Sequence, residues 1–103
     1  MDKEIGMAVH VKVRLLGVLR GLSGKDWVPV KSEGPPTVRK VIQNLTGAFS
    51  PEFKQILIDP ELEDPRPNAL ILVNGREIGV LQGLETEVND GDEIVLVPVS
   101  HGG

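Results

Sequence analysis

The sequence predicts an α+β domain: a mixed β-sheet of short strands with one main helix packed across one face. Three observations carry that reading. Residues 8–16 alternate, with Val9, Val11, Val13 and Leu15 on one side and His10, Lys12 and Arg14 on the other. That is the period of a strand with one buried face. Val38, Val41, Ile42 and Leu45 recur at i, i+3, i+4 and i+7, the apolar stripe of an amphipathic helix. Asn74-Gly75 follows the apolar run Ala69 to Val73, and this dipeptide favours the left-handed backbone of a two-residue hairpin.

The elements follow in order. Residues 1–7 read as a flexible leader, 8–99 as the domain and 100–103 as a flexible tail. Residues 17–24, punctuated by Gly17, Gly21 and Gly24, read as a long connection with Leu19 and Leu22 tucked against the core. Trp27, Val28 and Val30 predict a second strand, and Pro29 within it marks a sheet edge, because proline has no N–H for a ladder. Thr37 offers an N-cap to the amphipathic helix and Gly47 a stop. Ser50-Pro51 predicts a second helix start, with a capping hydroxyl followed by proline at the first helical position. Residues 59–67 carry three prolines among charged residues and read as loop. Ala69 to Val73 reads as a buried central strand and Arg76 to Ile78 as its short return. Gly83-Leu84 is a turn with an apolar plug, Asn89-Asp90-Gly91-Asp92 another turn, and Ile94 to Val99 the last strand.

Composition removes several function classes. The chain has 103 residues, which sets one domain. It has no cysteine, which excludes a disulfide scaffold, a Cys-ligated zinc site and a Cys nucleophile. His10 and His101 are the only histidines, too few for a multi-histidine metal site. Trp27, Phe49 and Phe53 are the only aromatics, too few for a base-stacking surface, so no direct nucleic-acid binding is expected. No apolar run nears the ~20 residues of a membrane span, and Met1-Asp2-Lys3-Glu4 lacks the apolar stretch of a signal peptide. A cytoplasmic protein without membrane partners is expected.

Charge is unevenly placed. Residues 1–50 hold eight Lys/Arg against four Asp/Glu; residues 51–103 hold three against eleven. This fits either two solvated faces or an acidic half that steers a basic partner. Gly17, Gly21, Gly24 and Lys25 do not make a phosphate loop, since Leu19 stands where glycine is needed and Asp26 where Ser or Thr is needed. Asp90, Asp92 and Glu93 lack the spacing of a calcium loop and read as turn residues. No metal site and no catalytic constellation is expected.

The informative motif is the end of the chain, Pro98-Val99-Ser100-His101-Gly102-Gly103. A frayed terminus of small residues would look similar. Four extended residues nevertheless span about 13–14 Å. Glycine has no side chain to collide with the walls of a narrow channel. Such a tail suits threading into another protein, with Ser100, His101 and Gly102 presented to it and Gly103 as the reactive end.

The element order resembles the β-grasp fold of ubiquitin, in which the first and last strands lie parallel at the sheet centre. The chain also resembles the ubiquitin-like sulfur carriers. That group includes the ubiquitin-related modifiers, the small subunit of molybdopterin synthase, the thiamine sulfur carrier and the small archaeal modifiers. The resemblance runs from Val9 to Gly103. It rests on Val11-Lys12-Val13-Arg14 with Leu19-Arg20 and Gly24, Thr37-Val38-Arg39, Ile71-Leu72-Val73-Asn74-Gly75-Arg76, Gly91-Asp92-Glu93 and the final Gly-Gly.

It implies a non-enzyme whose Gly103 carboxylate is adenylated by a ubiquitin-activating-enzyme-like adenylyltransferase using ATP and magnesium. A sulfurtransferase persulfide then leaves a thiocarboxylate, for example for tRNA thiolation by a tRNA thiolase. In the modifier branch, lysines of target proteins are acylated instead. His101-Gly102-Gly103 and the added segment Thr46 to Pro67 resemble the modifiers. Val73-Asn74-Gly75-Arg76 and Val97-Pro98-Val99 resemble the archaeal modifiers and the molybdopterin synthase small subunit, the latter of which works with a large subunit. A β-grasp binding module with an inert tail is a further alternative. For recognition, the sheet face opposite the helix is expected, with His10, Lys12 and Arg14 joined by Leu81 and Leu84; Leu84 fits the core equally well.

Overall fold

The computed structural model describes residues 8–99. The leader 1–7 and the tail residues Ser100, His101, Gly102 and Gly103 lie outside the described residues. The elements are β1 (Ala8–Leu15), α1 (Gly17–Ser23), β2 (Trp27–Glu33), α2 (Val38–Thr46), α3 (Pro51–Leu57), β3 (Ala69–Val73), β4 (Arg76–Glu77) and β5 (Glu93–Pro98). Two single 3-10 turns, Ile78–Val80 and Gly83–Glu85, lie between β4 and β5.

The sheet order is β2-β1-β5-β3-β4. β1 and β5 are parallel neighbours, with Lys12 opposite Glu93 and Arg14 opposite Val95. β5 also pairs antiparallel with β3, Leu70 opposite Val97 and Leu72 opposite Val95. β5 is therefore the central strand. This is the β-grasp arrangement.

The alternation in β1 places Val9, Val11, Val13 and Leu15 inside. They meet Ile94 and Leu96 of β5, Ala69, Ile71 and Val73 of β3, and the stripe Val38, Val41, Ile42 and Leu45 of α2, all buried in one core. The Thr37 side chain accepts a hydrogen bond from the Lys40 N–H, which satisfies one of the free donors at the start of α2. Ser50 caps α3 through the Phe53 N–H, with Pro51 behind it. Phe53 and Leu57 of α3 are fully buried. Asn74 and Gly75 both have positive φ, as the β3–β4 turn requires. Pro29 lies in β2, which is an edge strand. The pairing partner of Pro29, Lys12, donates its own N–H to the Asp92 carbonyl on the far side of β1. In antiparallel pairing, Pro29 is then turned away from β1, so its missing donor falls on the outer edge. That blunts the edge against addition of another strand.

Four expectations are corrected. Residues 17–23 form a helix rather than a loop, with Leu19 buried and Leu22 38% exposed. Gly24 closes it in the left-handed conformation, and its N–H donates to the Arg20 carbonyl. β3 is buried on one side only, since Leu70 is 42% exposed. β4 ends at Glu77, and Ile78 already begins a 3-10 turn with its side chain in the core. Leu84 lies in the core at 3% exposure, and Leu81 packs against the core margin, so neither extends the open sheet face.

Candidate functional site

The site is built where β5 hands the chain over to the tail. On the core side Pro98 is half-buried over the start of α1, and a Cβ on Gly17 would lie 3.5 Å from its ring. Gly17 has φ +56°, so glycine suits both the backbone and the close approach there. One residue on, the Val99 N–H donates to the Asn68 carbonyl at 3.0 Å. Val99 itself is 43% exposed. The next residues are Ser100, His101, Gly102 and Gly103.

The other end of β5 is held as firmly. The Asn74 amide donates to the Asp92 carboxylate at 3.0 Å, and its carbonyl accepts the Glu93 N–H at 2.9 Å. Asp92 also accepts the Asn89 N–H at 2.8 Å. Asp90 accepts the His10 backbone N–H at 2.8 Å, with the His10 ring 3.4 Å away. That backbone hydrogen bond, aided by the ring, holds the Asp90 carboxyl below its ordinary range. The carboxylates of the 89–93 segment thus close turns. Among the described residues, no group of three or more His, Asp or Glu side chains is placed to hold a metal ion.

The sheet face away from the helices is left open. Register and burial put Lys12 and Arg14 on it beside Glu93, Val95 and Val97 of β5 and Leu70 and Leu72 of β3. The Arg14 guanidinium donates to Glu93 at 3.1 and 3.3 Å. The Lys12 amine sits 4.7 Å over the Trp27 ring, a cation–π contact at the β2 edge. The result is an apolar strip, Leu70, Leu72, Val95 and Val97, with charged residues along the β1 side. It leads along β5 toward Val99. The alternation in β1 predicted that Lys12 and Arg14 point away from the core, and they do. The sequence does not show the apolar strip, because apolar residues within strands read as core, and only the register separates Val95 and Val97 from Ile94 and Leu96.

Comparison with known proteins fits this geometry. Residues 13–103 match the ThiS family. The chain belongs to the ThiS family. It is 41% identical over 68 residues to a sulfur carrier protein of Archaeoglobus fulgidus, covering 65% of this chain and 74% of that one. It is 25% identical over 95 residues to small archaeal modifier protein 3 of Haloferax volcanii, covering 92% of this chain and all of that one. The solution structure of small archaeal modifier protein 1 from Methanosarcina acetivorans superposes with a TM-score of 0.79 at 33% identity, over 95% of this chain and 100% of that one. These ThiS-family relatives are ubiquitin-like sulfur carriers and modifiers rather than catalysts. Among the described residues, no helix is long and apolar enough to cross a membrane.

Proposed function

We propose that this chain is a cytoplasmic sulfur carrier or protein modifier, acted upon at the carboxylate of Gly103. What chiefly supports the reading is that the strand leading to Gly102-Gly103 is the central one, hydrogen-bonded to β1 on one side and β3 on the other. A rigid domain then serves as a handle for the Gly103 carboxylate, and four residues in extended form span about 13–14 Å. The open sheet face beside that strand is where an activating enzyme would grip.

The chemistry resides in the partners. An adenylyltransferase with bound magnesium and ATP joins the Gly103 carboxylate to the α-phosphate, and pyrophosphate leaves. The acyl carbon now carries AMP, a far better leaving group than oxide. A sulfurtransferase persulfide displaces AMP, and a thiol then cleaves the acyl disulfide to release the thiocarboxylate, itself becoming part of a disulfide. In the modifier branch a lysine amine displaces AMP or a thiol and forms an isopeptide bond. Glycine at 102 and 103 keeps the path to the acyl carbon free of side chains.

Incubation with the cognate activating enzyme and magnesium ATP tests this. Intact mass should show the adenylate and, with a sulfur donor, exchange of one carboxyl oxygen for sulfur. Removal of Gly103 should abolish both and leave the melting temperature unchanged. An intact chain that never acquires AMP, sulfur or a lysine conjugate refutes the reading and leaves a binding module. Thiolated tRNA, lysine conjugates or co-purification with a molybdopterin synthase large subunit would distinguish the acceptors.

A further inference from the structure

The chain has one asparagine followed by glycine, Asn74-Gly75; Asn44, Asn68 and Asn89 precede Leu45, Ala69 and Asp90. The pair matters chemically as well as conformationally. A backbone nitrogen can attack the side-chain amide carbon of the asparagine before it, and glycine hinders that attack least because it has no Cβ. Asn74 and Gly75 are both exposed at the β3–β4 turn, and a Cβ on Gly75 would meet nothing within 4 Å. Among the described residues, the Gly75 N–H has no hydrogen-bond acceptor.

The Asn74 side chain is turned toward β5 instead. Its amide nitrogen donates to Asp92 Oδ1 at 3.0 Å, and its oxygen accepts the Glu93 N–H at 2.9 Å. The Asn74 backbone N–H donates to the Glu93 carbonyl at 2.8 Å. Backbone and side chain together continue the β3–β5 ladder one rung past the Val73–Ile94 pair. Both polar atoms of the amide are committed to this clamp. While it holds, the side chain cannot rotate to bring its carbon onto the Gly75 nitrogen.

We propose that Asn74 is a deamidation site gated by its clamp to Asp92 and Glu93, so that opening of the turn permits the reaction and the product cannot close the clamp again. The Gly75 nitrogen bonds to the Asn74 amide carbon and gives up its proton; the bond from that carbon to the amide nitrogen breaks, and ammonia leaves with the proton. Water then opens the resulting cyclic imide at either carbonyl. One water is consumed, one ammonia is released, and nothing is oxidised or reduced. The aspartate product has lost the donor and sets a second carboxylate against Asp92, where like charges so close disfavour each other. The isoaspartate product adds a carbon to the backbone of a tight turn that depends on its two positive φ angles. Glu93 also holds the Arg14 guanidinium at 3.1 and 3.3 Å, so freeing its backbone N–H reaches the open sheet face.

The test follows the full chain in mildly alkaline buffer by peptide mass mapping. Asp92→Ala removes the acceptor and should speed conversion of Asn74 at least about tenfold, while Asn44 and Asn68 stay intact in both proteins. Asn74→Asp reproduces one product directly. Its Glu93 amide should exchange at least about tenfold faster than in the unaltered chain, with the Ile94 and Leu96 amides still protected. Combining Asn74→Asp with Asp92→Asn exchanges donor and acceptor across the same gap and leaves an oxygen for the Asn89 N–H. That pair should recover most of the Glu93 protection, whereas a merely structural role predicts that the two losses add.

The inference is overturned if Asn74 converts no faster in Asp92→Ala, if Asn74→Asp leaves the Glu93 amide protected, or if the paired change gives no recovery. Should Asp92→Ala fail to fold, the Asn74→Asp protein and the paired change decide the matter by amide exchange alone.

Discussion

The two faces of the sheet are made from the same strands and put to opposite uses. On β5, Ile94 and Leu96 are fully buried under the helices, while their neighbours Val95 and Val97 lie on the uncovered side. On β3, Ala69, Ile71 and Val73 are buried while Leu70 is 42% exposed. The covered face is uniformly apolar and specifies the fold. The open face mixes an apolar strip with the Arg14–Glu93 pair and the Lys12–Trp27 contact. Of the four aliphatic side chains on that face, Leu72, Val95 and Val97 are partly buried and Leu70 is exposed, so the open face is apolar without being packed as the covered one is. The difference teaches that burial, rather than hydrophobicity, separates the residues that specify the fold from those left on the open face.

The comparison is broken most severely on the covered side. Leu96→Ala removes a fully buried side chain from the middle of the central strand. It should cost about 2–5 kcal/mol, read as a lower midpoint in urea. On the open side, Leu70→Ala with Val97→Ala should change stability by about 1 kcal/mol or less per site. The same pair should weaken binding of the activating enzyme at least tenfold, or about 1.4 kcal/mol, by calorimetry. Binding that survives these two changes would remove the open face from the recognition reading and leave the tail alone to carry it.

The cap of α2, the helix that covers the sheet, gives a smaller effect. Thr37→Ala frees the Lys40 N–H and should cost about 1 kcal/mol, and Thr37→Ser should recover most of it. A thermal melt of the three proteins settles the order. Partner affinity should not change, since the cap is remote from the open face.

These faces were unequally legible from the residues. Val9, Val11, Val13 and Leu15, the α2 stripe, the Thr37 and Ser50 caps and the Asn74-Gly75 turn were all readable, because each is a local pattern with a local cause. α1 was not. Its three glycine neighbours look like loop chemistry, and only Leu19 faces the core; tertiary packing and the left-handed Gly24 cap make it a helix. Leu84 and Leu70 exchanged places for a similar reason. An isolated leucine in a turn proved to be core, and a leucine within an apolar run proved to be surface, because register is a property of the assembled sheet. The Pro98–Gly17 contact joins residues 81 positions apart in the sequence, and nothing local announces it.

The smallest effect lies at the rim of the covered face, where the loop after α3 folds back. Asp64 takes a bidentate grip from Arg66, with contacts of 2.9 and 2.5 Å, and also accepts the Arg66 backbone N–H at 2.8 Å. The Arg66 side-chain hydrogen bond is the main cause that holds the Asp64 carboxyl below its ordinary range; burial opposes it, and the Arg66 and Arg39 charges add to it. The sign follows from linkage. A carboxyl depressed in the folded state adds stability above its unfolded value, near pH ~3.9, and that contribution fades as pH falls toward the lower folded value. Arg66 is half-exposed, so solvent screens the pair, and its worth is about 0.5 kcal/mol. Melting curves of the unaltered chain and Asp64→Asn should therefore lie slightly apart at neutral pH and converge in acid, as pH falls below the ordinary carboxylate value through the lowered folded one. A separation that persists unchanged into acid would mean the loop is held by packing rather than by this charge, and the rim would then belong with the covered face in mechanism as well as in position.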